Sequence, residues 1–406
     1  MVAIKRLVFL NRSFFPDIEA TGQLLTELCQ ELASDFDVHV VCGHPLYRQT
    51  KRRWPITKTT YDNVTIWRIN NTTLPKKYFW ARFINLLSYF VGCFFWIFFL
   101  KDIDCIIAET DPPLLASVAY IHSRLRHCPF IYYSQDIWPE VGLINKGLTN
   151  PLITRLLKAI NNFLYKKAAL IIVPGRDMKI KIEKKITIHQ GSVKIVENWI
   201  DPQLIYPIKR ENNIFLKRIL LRNKFIVVYS GNIGLSQDLE NVILVANDLK
   251  TFEDIFFLVI GEGASKEKLI KLASYFKLKN LKFLPYQAKK YLAFSLSAAD
   301  IHLITLKKGM KGVIIPSKVY GIMAAGRPFI AAVDKGSEID LIVKEFQCGL
   351  VIEPSNKEEL KKAVRWAFDH RSQLEKMGQR GREAIEKHFS KKICTQKFKR
   401  ILEEVV

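Results

Sequence analysis

Short apolar runs recur along this chain with helical stretches between them. Strands of a parallel sheet covered by helices on both faces read this way, whereas a half-solvated strand alternates apolar with polar. In the first half the runs fall at 7–10, 38–42, 64–68, 103–108, 130–133, 170–173 and 193–196. The alternation restarts at 225–230, 255–260, 281–284, 301–305, 329–332 and 350–352. Residues 198–213, with Pro202, Pro207 and a charged patch, read as a linker. A chain of 406 residues exceeds one ordinary core. The expected fold class is therefore α/β, with two doubly wound domains facing across a cleft, at 1–203 and 204–390. A surface helix is expected over 391–406, where Ile393, Phe398, Ile401 and Leu402 recur at helical spacing.

Charge narrows the partners. The sequence has 62 Lys and Arg against 39 Asp and Glu, a formal charge of +23, which favours phosphorylated ligands, anionic lipid or nucleic acid. No aromatic RNA-binding signature, helix-turn-helix pattern or zinc module accompanies that charge, so no nucleic acid partner is expected. Seven cysteines are scattered without a CxxC pair, and they read as reduced core thiols of a cytoplasmic protein with no structural metal. The apolar run after Lys5 and Arg6 is too short for a signal peptide and reads as the first strand.

Residues 78–100 (YFWARFINLLSYFVGCFFWIFFL) depart from the habit of soluble domains. The segment has the length of a membrane span and is flanked by Lys76, Lys77 and Lys101. A strand at 103–108 must rejoin the sheet at once, which disfavours a spanning helix. Arg82 and Asn85 sit awkwardly in a fully buried one. An interfacial helix, its aromatic face in lipid and its lysines on anionic headgroups, fits best. The basic stretch at 179–185 reads equally as a membrane contact or as a solvated helix face.

Several loops carry candidate chemistry. After the strand at 301–305 come Pro316, Ser317 and Lys318, then a helix rich in small residues, Gly321, Ala324 and Ala325. A lysine just inside a helix N-terminus suits an anion. The second half opens on a strand followed by Gly231, Asn232 and Gly234, with a helix expected from about Gln237. Glycines there expose backbone N–H groups to a diphosphate, although a plain loop has the same appearance. Glu262 follows a further strand, and Glu338 opens a helix where it either bonds ligand hydroxyls or complements its own helix dipole. In the first half, Thr21 and Gly22 lie in the loop 14–22 ahead of a helix expected from Gln23. Asp136 lies just past the strand at 130–133, where open α/β sheets place ligands, and it reads equally as a site residue or a helix N-cap. Trp138 and Pro139 would wall an acceptor, Glu140 lies one turn on, and Asp111-Pro112-Pro113 stiffens a neighbouring rim.

The ordered set FFPDIEATG, QDIWPE, ENWID, YSGNIG, GEG, LPY, SAAD, PSKVYGIMAAGRP and GSE resembles the family-4 retaining glycosyltransferases of the GT-B fold. It is most similar to the fucosamine-transferase-like branch of bacterial O-antigen, capsule and exopolysaccharide assembly. The resemblance implies two Rossmann-like domains, the first binding an acceptor and the second a nucleotide-sugar. The donor is expected to be UDP-linked, with an N-acetylated deoxyhexose such as fucosamine as one candidate sugar. A polyprenyl-diphosphate-linked saccharide is the expected acceptor, which suits peripheral attachment to the anionic inner face of the cytoplasmic membrane. The helix at 391–406 would pack back on the first domain. No metal or other cofactor is implied.

Carried over by position, the resemblance gives Gly231, Asn232 and Gly234 to the donor diphosphate, Lys318 to its negative charge, and Pro285 and Tyr286 to the nucleobase wall, with Ser317 a further donor-binding residue. Gly22 would approach from the opposite lobe, with Glu262 and Glu338 near the donor. Asp136 would position the acceptor or stabilise the sugar's developing positive charge, and Lys318 would stabilise the departing diphosphate. Two departures stand out. A glutamate pair usual in the family is replaced by Val313 and Gly321, which removes the expected ribose contact, and Gln237 stands where many members have lysine. That leaves Lys318, with Arg327, as the nearby positive charge. Two competing functions share these features: a sugar-nucleotide 2-epimerase of the same layout, and a non-catalytic basic membrane-binding protein.

Overall fold

The computed structural model describes residues 4–17, 19–45, 56–74, 79–145, 147–187 and 191–406, which form two compact units. Unit 1 takes the chain up to Leu143, Leu148–Glu197 and Cys394–Val406, and unit 2 takes Ile144–Gly147 and Asn198–Ile393. The division thus falls between Glu197 and Asn198, ahead of the expected linker rather than inside it.

In unit 1 the elements are β1 (Arg6–Leu10), α1 (Ala20–Leu32), β2 (Asp37–Cys42), β3 (Ile56–Tyr61), β4 (Val64–Ile69), α2 (Phe79–Ile97) and β5 (Cys105–Ala108). They continue with α3 (Leu115–Arg126), β6 (Phe130–Tyr133), α4 (Glu140–Ile144), α5 (Pro151–Lys167), β7 (Leu170–Val173), α6 (Arg176–Lys185) and β8 (Val193–Ile195). The strands form one sheet in the order β3-β4-β2-β1-β5-β6-β7-β8. Every pairing is parallel except β3 with β4. That edge hairpin turns at Asp62 and Asn63, both at positive φ (45° and 63°), the backbone that suits a tight hairpin. Strand β3 escapes the apolar-run reading because its centre, Lys58, Thr59 and Thr60, is polar and exposed.

Helix α2 buries one narrow line of side chains, Ala81, Asn85, Tyr89, Cys93 and Ile97, spaced four apart. The Tyr89 hydroxyl donates to the Val41 carbonyl at 2.9 Å and pins the helix to the end of β2. Asn85 accepts from Leu74 N at 2.8 Å and donates to the Leu74 carbonyl at 2.9 Å, so a polar residue in an apolar helix is accounted for by the loop it holds. Another face of the helix points outward: Phe83, Ile84, Leu87, Val91 and Phe95 are all exposed. No helix among the described residues is long and apolar enough to cross a membrane. Tyr78, Lys76 and Lys77, part of the expected interfacial segment, lie outside the described residues.

Unit 2 runs α7 (Ile214–Ile219), β9 (Phe225–Ser230), α8 (Glu240–Asp248), β10 (Ile255–Ile260), α9 (Lys266–Tyr275), β11 (Leu281–Leu284), α10 (Leu292–Ser297) and β12 (Ile301–Thr305). It continues with α11 (Lys318–Ala324), β13 (Phe329–Ala332), α12 (Glu338–Phe346), β14 (Gly349–Ile352), α13 (Lys357–Asp369) and α14 (Arg371–Ala384). Its sheet is wholly parallel in the order β11-β10-β9-β12-β13-β14. Alternate residues of β9 serve opposite cores. Phe225, Val227 and Tyr229 meet α8, α9 and α13 on one face, and Ile226 and Val228 meet α7 on the other, which is why no polar alternation is visible.

The last helix, α15 (Lys391–Glu403), contributes most of its length to unit 1. Phe398 and Leu402 are fully buried, and Phe398 meets Tyr133 edge to face at 5.2 Å. Burying two such side chains stabilises the contact by about 1.5–3 kcal/mol each. Lys399 pairs with Asp35 at 2.7 Å and Lys397 with Glu197 at 2.9 Å around the rim.

Candidate functional site

In unit 2 the strand order reverses between β9 and β12, and ligand sites of open α/β sheets lie at the carboxyl ends beside such a reversal. The loops there are tightly interlocked. Gly231 leaves β9 at φ 141°, and a Cβ on it would stand 3.0 Å from Lys318 Nζ. Gly261, at φ 147° after β10, packs so closely that a Cβ would meet the Gly231 carbonyl oxygen at 1.9 Å. Only glycine fits either place. Ile233 N donates to the Glu262 carbonyl at 2.9 Å, and the Tyr229 hydroxyl donates to the Asn232 carbonyl at 2.6 Å from beneath the loop.

Lys318 is the centre of this arrangement. Its stem is partly exposed, but its ammonium end is buried and has no hydrogen-bond partner among the described residues. Nζ lies 3.8 Å from the centre of the Tyr229 ring, so the ring face is its immediate electrostatic support. Burial lowers its pKa from 10.5 to about 7. An anion delivered beside Gly231 supplies what this cation lacks, and the lysine then returns to full charge.

Some sequence expectations shift. Helix α11 has only seven residues and Ser317 makes no side-chain cap, so charge on Lys318 outweighs any helix dipole. The loop after Gly234 enters a short 3-10 turn at Leu235–Gln237, and α8 begins at Glu240, later than the sequence suggested. Gln237, standing where a lysine was expected, is buried and accepts from the Tyr229 hydroxyl at 3.3 Å, and Thr305 donates to its carbonyl. It braces the loop from below. Arg327 lies beyond the far end of α11 and donates to the Ile208 carbonyl at 3.3 Å, so it is tied to the segment ahead of α7 instead of joining Lys318. Gly321 is buried in α11 with Leu296 3.4 Å from its Cβ position.

Glu262 lies at the carboxyl end of β10, paired with Lys266 at 2.7 Å. Pro285 and Tyr286 follow β11, and the half-exposed Tyr286 directs its hydroxyl to the Glu262 carbonyl at 3.5 Å. Glu338 is buried as the first residue of α12, past the carboxyl end of β13. The donor-binding candidates in unit 2 therefore share one edge of one sheet.

Unit 1 has its own reversal, between β1 and β5. A pocket of about 250 Å³ opens there, lined by Arg12, Glu19, Thr21, Glu109, Thr110, Asp111, Pro113, Gln135, Asp136 and Trp138. Arg12 grips Asp111 with two bonds, at 2.9 and 3.2 Å, and reaches Glu19 at 2.8 Å. Those two carboxylates are compensated, and the other two are not. Asp136, open to the pocket but surrounded by protein, has its pKa raised to about 7, chiefly by burial and then by the charge of Asp111. Glu109 is 2% exposed, and burial followed by the charges of Asp111 and Asp136 raises its pKa well above the ordinary range.

The helix-cap reading of Asp136 falls, because α4 starts only at Glu140. Glu140 itself is tied to Lys185 at 2.7 Å, and Lys179 faces Glu183 at 3.8 Å, so the basic stretch on α6 is partly neutralised within its own unit. Gly22 falls inside α1, which begins at Ala20. A Cβ on it would meet Ser13 Oγ at 2.6 Å, so the glycine lets α1 lie against the loop after β1. Sequence reasoning missed Glu109 and Arg12. Glu109 ends the apolar run of β5 just as Asp136 follows β6, and the same positional rule finds both. All seven cysteines are free thiols, and no cluster of metal-binding side chains occurs among the described residues.

Comparison with known proteins agrees with this two-unit layout. Residues 21–204 match the family described as Glycosyltransferase Family 4, and residues 212–384 match Glycosyl transferases group 1. One relative is the probable glycosyltransferase WbjE of Pseudomonas aeruginosa, 29% identical over 300 residues, or 73% of each chain. Another is the putative colanic acid biosynthesis glycosyl transferase WcaI of Escherichia coli K12, 26% identical over 88% of this chain and 90% of that one. Among solved structures, Anabaena Alr3699/HepE in complex with UDP and glucose superposes with a TM-score of 0.75 over 98% of this chain and 100% of that one. At 13% identity that likeness is one of fold.

Proposed function

We propose, since this chain belongs to the GT-B glycosyltransferases, that it moves a sugar from a UDP-sugar bound in unit 2 to a polyprenyl-diphosphate-linked saccharide bound in unit 1. The observation that carries the donor half is the buried Lys318 ammonium beside Gly231, which has no hydrogen-bond partner among the described residues. A buried cation without a partner is costly, and a diphosphate removes that cost while the transfer makes use of it. As the sugar–phosphate bond breaks, negative charge grows on the leaving diphosphate, and Lys318 beside the Gly231 turn stabilises it without a metal. Transfer with retention follows if the acceptor hydroxyl attacks on the same face and the leaving phosphate takes its proton. No carboxylate nucleophile is then required. Asp136 orients the acceptor in unit 1. HepE supports a uridine nucleotide by its bound UDP, and WcaI supports a place in polysaccharide biosynthesis by its name. The sugar proposed first is an N-acetylated deoxyhexose.

The apolar face of α2 supports a working position on the anionic inner face of the cytoplasmic membrane. It continues onto neighbouring helices, with Ile121 and Leu125 of α3 and Leu152, Leu156 and Phe163 of α5 also exposed. An apolar ridge in a strongly basic chain suits an anionic lipid surface.

The test is turnover with a panel of UDP-sugars, with and without a polyprenyl-diphosphate-linked saccharide. Lys318→Ala should lower turnover on the order of 10²–10³ with an unchanged fold. Near-normal activity of that variant would remove Lys318 from the mechanism, and conversion of the donor sugar without acceptor would identify an epimerase instead.

A further inference from the structure

The pocket of unit 1 holds a group that the transfer steps above do not use. Glu109 borders the cavity, is almost wholly buried, and its Oε2 has no hydrogen-bond partner among the described residues. Around it, Cys29 comes from α1 and Tyr133 from β6, while Asp111 and Asp136 come from the loops after β5 and β6. Among the described residues the one cation lining the cavity, Arg12, is already bonded to Asp111 and Glu19. Nothing there among the described residues compensates a negative charge on Glu109, and burial, followed by the charges of Asp111 and Asp136, favours its protonated carboxyl form.

A protonated carboxyl group both donates and accepts, as a sugar hydroxyl does. An anionic ligand would meet Asp111 and Asp136, and an apolar one would leave Glu109 Oε2 unsatisfied. A polyhydroxyl ring satisfies both conditions, with Trp138 supplying an apolar surface for its C–H face. A cavity of about 250 Å³ is smaller than the pockets that enclose whole drug-sized ligands, and it suits a single ring.

We infer that Glu109 recognises one hydroxyl group of the acceptor saccharide through its carboxyl group, otherwise unpartnered at Oε2 among the described residues, thereby helping to set which sugar unit 1 admits. This rests on unit 1 being the acceptor side. Glu109 is a specificity residue and takes no part in proton transfer.

The inference is tested on the full chain by ligand-observed NMR with methyl glycosides of glucose, galactose, mannose, fucose and N-acetylglucosamine, together with their monodeoxy analogues. Wild type should bind at least one glycoside and lose it when one particular hydroxyl is removed. Glu109→Gln, which keeps a neutral donor and acceptor, should stay within about threefold. Glu109→Leu should weaken binding by more than about tenfold and stop distinguishing the deoxy analogue. If the leucine variant shows no melting transition, Glu109→Asp, which withdraws the carboxyl by one methylene, carries the same comparison.

Wild-type binding by a folded Glu109→Leu protein, loss of binding in Glu109→Gln, or no binding of any glycoside by wild type each overturns the inference. Turnover separates it from the reading beneath it. A raised acceptor KM with unchanged donor KM in Glu109→Leu supports both. A change confined to the donor KM overturns the acceptor assignment of unit 1 even where the glycoside data show a hydroxyl contact.

Discussion

Unit 2 and unit 1 each bury charge-bearing groups at a reversal in strand order, and they do so with opposite sign. In unit 2 a single cation, Lys318, lies under a glycine loop with an aromatic ring for support and a pKa lowered to about 7. In unit 1 carboxyl groups are crowded together, one pair held by Arg12 and the other left with raised pKa values. The difference teaches what each site is short of. The first lacks negative charge and suits a diphosphate. The second has an excess of it and is relieved either by keeping protons or by meeting neutral hydroxyls. Asp136 and Lys318, moved from 3.8 and 10.5, arrive at nearly the same value from opposite directions.

The largest expected effect breaks the donor half. Lys318→Ala should cost on the order of 10²–10³ in turnover, measured as sugar transferred at saturating acceptor. Asp136→Asn should cost about 10² at pH 8, and it should also change the shape of the pH profile. With Asp136 needed as carboxylate and Lys318 as ammonium, kcat/KM should follow a bell centred near pH 7. Asp136→Asn removes the acid limb and Lys318→Arg the alkaline one. A profile flat from pH 6 to about 8.5 in wild type would refute this pairing.

Smaller effects sharpen the contrast. Binding of a UDP-sugar at pH 8 should take up close to one proton, because the diphosphate restores charge to a lysine that is mostly neutral there. Calorimetry in buffers of different ionisation enthalpy measures the uptake, and the Lys318→Arg protein should show none. Replacing the exposed Leu156 by Ser should weaken binding to anionic vesicles about tenfold, read by co-sedimentation.

The smallest effect is on stability, and its sign differs between units. Lys318 is depressed in the fold, so its contribution is fully present above 10.5 and is lost as pH falls through about 7. Asp136 is raised, so its contribution is fully present below 3.8 and is lost as pH rises through about 7. Lys318→Met should therefore raise the melting temperature at pH 6 by about 2–4 °C while abolishing donor binding.

Much of this was legible in the sequence because burial on both faces writes itself into a strand. The run at 130–133 is apolar throughout and the one at 225–230 is so up to its closing Ser230, and they became β6 and β9 with the same bounds. Strand β3 was not legible, since an exposed edge strand needs no apolar residues. The same logic divides the candidate sites. Lys318 and the glycine loop announce themselves by residue type, and Asp136 by its place after a strand. What Arg12, Gln237 and Tyr229 do depends on partners far along the chain, such as Asp111, 99 residues away, and no local pattern records that. Gly22 was legible as a special position but not for its reason, which is the approach of Ser13.

Helix α15 follows the whole of unit 2 in the chain, yet its buried residues complete unit 1. During synthesis, Tyr133 must therefore wait for Phe398 until every strand of the other unit has left the ribosome. The lobe begun first is thus closed last, and a half-made polypeptide lacks the helix that seals it. Dividing the gene between Glu197 and Asn198 would leave that helix on the wrong fragment. An engineer wishing to exchange one lobe between relatives must cut twice, before Asn198 and again at Cys394, and graft the last helix along with the first half.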